Sequence, residues 1–143
     1  MICILNKEKI GEKALVFNTK IRKEFKHELA EGEKFVTEAR MYHKMDLKYK
    51  IVGINTPIMI CQYQKDGYTK NIKEVFKANP KGYYAYFKEI LQMPMKNVTF
   101  KKRLYAVKHY LLFCYELKKK PEIKSFLIFL LYIPGKIKYY LWK

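Results

Sequence analysis

The chain has 143 residues, half of them apolar and 16% aromatic, which excludes global disorder and fits one domain or a domain with a tail. Thirty basic residues stand against 13 acidic ones, a net charge of +17, so an anionic partner such as lipid headgroups, nucleic acid or a diphosphate is expected. Cys3, Cys61 and Cys114 lie far apart with no C-x-x-C, which excludes a disulfide framework and zinc spacing and fits a reducing cytoplasm.

In chain order, the opening MICILNKEKIGEK has too short an apolar run and acidic residues too early for a secretory signal, and it begins inside what reads as a strand. Ala14-Leu15-Val16-Phe17 has the pattern of a buried strand, closed by Asn18-Thr19 with helix-cap chemistry. Ile21, Phe25 and Leu29 then recur at i, i+4, i+8 and predict a short helix over 21–29, broken by Ala30-Glu31-Gly32. A second helix is predicted over 33–45, with Phe35, Ala39, Tyr42 and Met45 on one stripe. Residues 49–55 and 58–63 are β-rich and joined by Asn-Thr-Pro, which predicts an antiparallel hairpin ended by Asp66-Gly67.

Beyond residue 71 the pattern is helical. Residues 73–78 stop at Asn79-Pro80, and 82–91 stop at Met93-Pro94. Residues 98–117 form the longest predicted helix, with Leu104, Val107, Leu111 and Cys114 on one face. Lys118-Lys119-Lys120-Pro121 is a positively charged stop. The last stretch, 122–143, mixes Phe, Leu, Ile and Tyr with Lys136 and Lys138 and ends Tyr-Tyr-Leu-Trp-Lys. Its longest apolar run, 126–134, is about half of what a spanning helix needs, so no transmembrane segment is predicted.

Glu31, Glu33 and Glu38 cluster where the second helix is expected to open. Carboxylates favour that position because the helix dipole and the free N–H groups stabilise them by ~0.3–1 kcal/mol. A carboxylate held on a rigid element can equally serve as a general base. The stretch Tyr63-Gln64-Lys65-Asp66-Gly67-Tyr68-Thr69-Lys70-Asn71 reads either as a Gly-containing turn before a capped helix or as a loop able to meet a phosphate.

The order of the strand at 11–17, the acidic helix opening at Glu33-Lys34-Phe35, the hairpin and the polar loop resembles the acceptor-side half of a bacterial family 2 glycosyltransferase of GT-A type. The resemblance covers about residues 11–91 and rests on order and spacing. It implies an α/β, partial GT-A-like domain (strand-helix-helix-β-hairpin) over 1–95, followed by a basic amphipathic helical tail over 96–143. In that family an acidic pair followed by an aromatic opens the acceptor helix and its second member is the usual base. Here Lys34 stands at that second position, so Glu33 is the first candidate base and Glu31 the second. Thr69, Lys70 and Asp66 are the implied substrate contacts near the donor diphosphate.

Asp46 and Asp66 are the only aspartates, so the metal-binding Asp-x-Asp of that family is not in these 143 residues. No metal ligands and no cofactor are therefore assigned to this chain, whereas Mg²⁺ or Mn²⁺ is expected for a complete enzyme of the family. There is no P-loop and no dinucleotide fingerprint. His27, His43 and His109 lack partners at ligand spacing.

From residue 96 onward, eleven lysines and Arg103 face only Glu116 and Glu122. Lysine beside aromatic and aliphatic residues is the composition of an interfacial helix. The same helices could instead pack against the sheet with their lysines solvated. The expectation is part of a sugar transferase (EC 2.4 type), peripheral to the inner face of the cell membrane. It would move sugar from a nucleotide-sugar to a cell-surface glycan or lipid-linked acceptor, as in capsule or lipopolysaccharide assembly. As an isolated chain it is expected to be inactive, needing a separately encoded donor half. The alternative is a small cationic membrane- or nucleic-acid-binding protein without catalysis. Nucleic acid is disfavoured because arginine is nearly absent and no RNA-recognition signature occurs.

Overall fold

The computed structural model describes residues 2–4, 14–50, 52–54, 60 and 71–142. The described chain is a mixed α and β fold in which helices dominate. Its elements are β1 (Ile2–Ile4), β2 (Leu15–Val16), α1 (Thr19–Lys23), α2 (Ala39–Asp46), β3 (Val52–Ile54), α3 (Ile72–Ala78), α4 (Pro80–Gln92), α5 (Phe100–Glu116) and α6 (Phe126–Trp142). They divide into two compact units, Met1–Glu28 with Glu38–Ile72 and Leu29–Thr37 with Lys73–Lys143.

The first unit carries a three-stranded sheet in the order β2-β1-β3. β1 pairs antiparallel with β2, Ile2 opposite Val16, and parallel with β3, Ile2 opposite Val52 and Ile4 opposite Ile54. A parallel pair cannot be closed by a tight turn, and the chain between β1 and β3 supplies the crossover through β2, α1 and α2. Asn18 starts α1 by accepting the Lys20 N–H at 3.0 Å. Met41 and Met45, one turn apart on α2, are buried with Phe25, and Phe17, Ile21, Tyr42 and Tyr49 pack around them. Phe17 stacks on Tyr42 at 5.5 Å between ring centroids, and Phe25 meets Tyr49 edge-on at 6.2 Å.

Three sequence expectations change here. The first helix ends at Lys23 rather than 29: the Glu24 and Phe25 N–H groups bond to carbonyls only three residues back, on Ile21 and Arg22. The Arg22 guanidinium then takes the Phe25 carbonyl at 2.6 Å, and Leu29 is 56% exposed instead of extending the stripe. The second helix starts at Ala39, not at residue 33, because residues 33–35 are held in a non-helical path by side-chain bonds described below. In the expected hairpin, β3 is a strand but pairs with β1. Of residues 58–63 only Ile60 is described, and it is not in a strand; the rest of that second hairpin strand lies outside the described residues. The α/β expectation thus holds only at the coarse level of a mixed fold, with a sheet of three short strands.

The second unit is built on α5, against which both α4 and α6 pack. Ala106, Val107, Tyr110, Leu111, Leu112, Phe113 and Cys114 are all buried, so the C-terminal half of α5 is enclosed on nearly every side. Phe87, Tyr110 and Phe113 are among its largest fully buried side chains, each worth on the order of 1.5–3 kcal/mol relative to exposure. Tyr83 stacks on Phe113 at 5.8 Å, and Phe76 tilts against Tyr83 at 4.2 Å.

Helix boundaries in this unit follow from local chemistry. Pro80 opens α4, where a missing N–H costs nothing. At its other end, the Arg103 guanidinium binds the carbonyls of Leu91 at 3.0 Å and Met93 at 2.7 Å. Thr99 caps α5 by accepting the Lys102 N–H. α5 ends in a Schellman turn: Lys119 N–H reaches the Cys114 carbonyl at 2.8 Å and Lys118 N–H that of Tyr115 at 3.1 Å. Lys118 sits there at φ +53°, a left-handed position usually given to glycine.

Candidate functional site

The three clustered carboxylates do not share a role. Glu33 turns to the N-terminus of α4. One of its oxygens accepts the Lys81 N–H at 2.5 Å and the other the Gly82 N–H at 2.7 Å. These are among the unpaired first-turn donors of a helix, and an anion there is stabilised by both hydrogen bonding and the dipole. The neighbouring backbone is fixed by Asn79, which is buried. Its Oδ1 accepts the N–H of Lys34 at 3.1 Å and of Phe35 at 2.9 Å, and its Nδ2 donates to the Val75 carbonyl at 2.9 Å. Glu31 is exposed, and its backbone carbonyl accepts from the Lys81 ammonium at 2.8 Å.

Glu38 is the acidic residue that stands at the opening of α2, as its N-cap. It belongs to the sheet-bearing unit, whereas Glu31 and Glu33 belong to the other. Its carboxylate is exposed and accepts the Tyr42 hydroxyl at 2.6 Å. Burial, and then the Glu38 carboxylate, push the Tyr42 hydroxyl up to about 12 from an ordinary 10.

Asp66, Thr69 and Lys70, the expected substrate contacts, lie outside the described residues. Among the described residues, no three or more His, Cys, Asp or Glu side chains come together as a metal site. No helix among them is long and apolar enough to cross a membrane.

The aromatic run at 81–88 has a structural role. Tyr83, Tyr84 and Phe87 are buried in the α4–α5 core, so those rings offer no stacking platform for bases. Tyr84 donates to one oxygen of Glu122 at 2.5 Å, and Lys88 forms an ion pair with the other. The Tyr110 hydroxyl accepts the Glu122 N–H at 2.9 Å. The Lys88 ammonium, then the Tyr84 hydroxyl, hold the Glu122 carboxyl below the usual carboxylate range. This cluster fastens the α5–α6 connection to α4.

Two adjoining concavities open where that connection enters α6. One, of about 270 Å³, is walled by Tyr115, Lys118, Lys119, Tyr132 and Lys136. The other, of about 730 Å³, is an apolar groove formed by Pro121, Ile123, Ile128, Phe129, Leu130 and Ile133. Lys120 and Tyr132 belong to both. Sequence reading found the lysines and the apolar residues of this region but not the concavities, which depend on how α6 lies on α5.

Comparison with protein-family models, with curated proteins and with solved structures gives no match to this chain.

Proposed function

We propose that this chain is the acceptor-side portion of a family 2 glycosyltransferase of GT-A type. It would work at the cytoplasmic face of the cell membrane on a cell-surface glycan or lipid-linked acceptor. The observation that carries the reading is the acidic N-cap Glu38, which opens α2 between β2 and β3 within one sheet-bearing unit. On the resemblance, the candidate bases are Glu33 and then Glu31; because α2 itself opens at Glu38, we propose that carboxylate for the role.

In the reaction, an acceptor hydroxyl oxygen bonds to the anomeric carbon while the carbon–oxygen bond to the nucleoside diphosphate breaks. The hydroxyl proton passes to a carboxylate. Glu38 takes that role, with the Tyr42 hydroxyl fixing the orientation of its carboxylate. Glu33, with both oxygens bound to the α4 backbone, together with the Glu31 carbonyl on Lys81, holds the preceding segment in place. Asp66, Thr69 and Lys70 remain the proposed contacts for the sugar-nucleotide. Among the described residues no set of carboxylates fits a divalent ion for the leaving diphosphate, so no step is assigned through it here. The ion belongs with a donor half bearing Asp-x-Asp.

The test combines this chain with a polypeptide carrying that donor half, Mg²⁺ or Mn²⁺, labelled nucleotide-sugars and a bacterial lipid extract. Label should move to lipid, and Glu38→Gln should slow transfer by roughly 10²–10⁴-fold without unfolding the chain. No transfer from any donor, or undiminished transfer by Glu38→Gln, defeats the assignment.

A further inference from the structure

α6 is apolar on two opposite faces. Ile128 is buried in the core shared with α5, with Leu127, Leu131 and Tyr139 partly buried against it. On the other side, Phe126, Phe129, Leu130, Ile133, Tyr140 and Leu141 follow a helical spacing that keeps them on one stripe, and all are exposed. Phe129 is 80% and Leu141 84% exposed. A helix apolar all round is normally enclosed, and a contiguous apolar stripe in water signals a surface that docks.

The charge around this stripe identifies what it docks against. Lys118, Lys120, Lys124 and Lys136 lie at the stripe's N-terminal end and flank, lining the two concavities. None of these four is in an ion pair among the described residues. Glu122, the nearby carboxylate on the α5–α6 connection, is occupied by Lys88 and Tyr84. A protein partner for the stripe would need to bring both an apolar strip and a dense anionic patch. An anionic bilayer has both as a continuous surface.

We propose that the α5–α6 end of this chain docks on an anionic phospholipid surface. α6 lies in the interfacial plane, with Phe129, Ile133 and Leu141 below the headgroups. Lys118, Lys120 and Lys136, with the tyrosines beside them, receive a headgroup phosphate in the smaller concavity, and the acyl boundary fills the apolar groove. The geometry gives a point-charge cluster for phosphate immediately beside an apolar channel, joined through Lys120 and Tyr132. This inference deepens the membrane placement in the reading above but does not rest on sugar transfer: vesicle binding and movement of label are read separately, so failure of either is distinguishable from failure of the other.

The test is flotation of the full chain with vesicles of phosphatidylcholine alone, or containing phosphatidylglycerol, at low and high salt. Binding is expected only with phosphatidylglycerol, and it should weaken with salt. Lys118→Ala, Lys120→Ala and Lys136→Ala should each weaken it about fivefold. Phe129→Ser with Ile133→Ser, both exposed and so harmless to the core, should abolish stable binding. Equal binding to neutral vesicles, or full binding by the serine variant, overturns the proposal. So does sedimentation showing that the stripe instead joins two copies of the chain, or binding that requires a polyprenyl phosphate in neutral vesicles.

Discussion

Glu33 and Gly82, 49 positions apart, meet at 2.7 Å between the carboxylate Oε2 and the backbone nitrogen. A Cβ on Gly82 would stand 3.0 Å from that same oxygen. The first turn of α4 is therefore capped by a residue that precedes it by some four dozen positions, and a side chain at position 82 would crowd the capping oxygen.

Replacing Glu33 by alanine leaves the Lys81 and Gly82 N–H groups without their acceptor and should cost about 0.5–2 kcal/mol. Gly82→Ala, which in an open helix stabilises by ~0.5–1 kcal/mol, should here destabilise because the oxygen stands in the way. Urea unfolding of both variants checks this. A stabilised Gly82→Ala protein shows that Glu33 yields its position freely.

Asn79→Ala removes three hydrogen bonds at a buried position, among them the Oδ1 acceptor of the Lys34 and Phe35 N–H groups. A loss of about 1–3 kcal/mol is expected, with the amides of residues 34 and 35 losing protection from hydrogen exchange before those of α5. Uniform loss of protection across the unit speaks against a local tie.

Because its folded value lies below the ordinary one, Glu122 contributes stability that is complete above the usual carboxylate range. That contribution disappears as pH falls through the folded value. The gap in melting temperature between the parent chain and Glu122→Gln should be widest near neutrality and shrink in acid. A gap independent of pH assigns the effect to the Tyr84 hydrogen bond alone.

Lys118 occupies a left-handed backbone position, which costs a residue with a Cβ roughly 1 kcal/mol relative to glycine. Lys118→Gly should raise the urea midpoint by a corresponding amount while removing one cation from the cluster proposed to meet lipid. Stability and vesicle binding should thus move in opposite directions, and a change in only one of them separates the two roles of this lysine.

Burial pushes Tyr83 and Tyr115 up to about 12, from an ordinary 10, and Cys114 to about 11. For each, the protonated form is favoured in the fold, so stability is whole below the ordinary value and lost as pH rises through the folded one. A spectroscopic alkaline titration should show part of the tyrosines ionising near 10 and another part only with unfolding. A single transition near 10 contradicts the enclosed rings.

The helices from α3 onward were legible because their punctuation is local: Pro80, Pro94 and the lysine run before Pro121 each act within a turn or so of the residues they end or begin. The path of residues 29–38 was not. Acidic residues there correctly signalled a helix N-terminus, but Glu33 serves α4 rather than the helix that follows it in sequence. No pattern within a short window can announce a cap delivered from so far away. Glu38, which does open α2, had only its place before Ala39 to mark it. The parallel pairing of β3 with β1 was equally hidden, since strand periodicity fixes which faces alternate and not which neighbour is chosen.

The segment Leu29–Thr37 belongs to the helical unit although it interrupts the sheet-bearing one. No single scission can therefore release either half intact. During synthesis, residues 33–35 leave the ribosome well before the turn they will clasp, and must wait unfastened until α4 has been made.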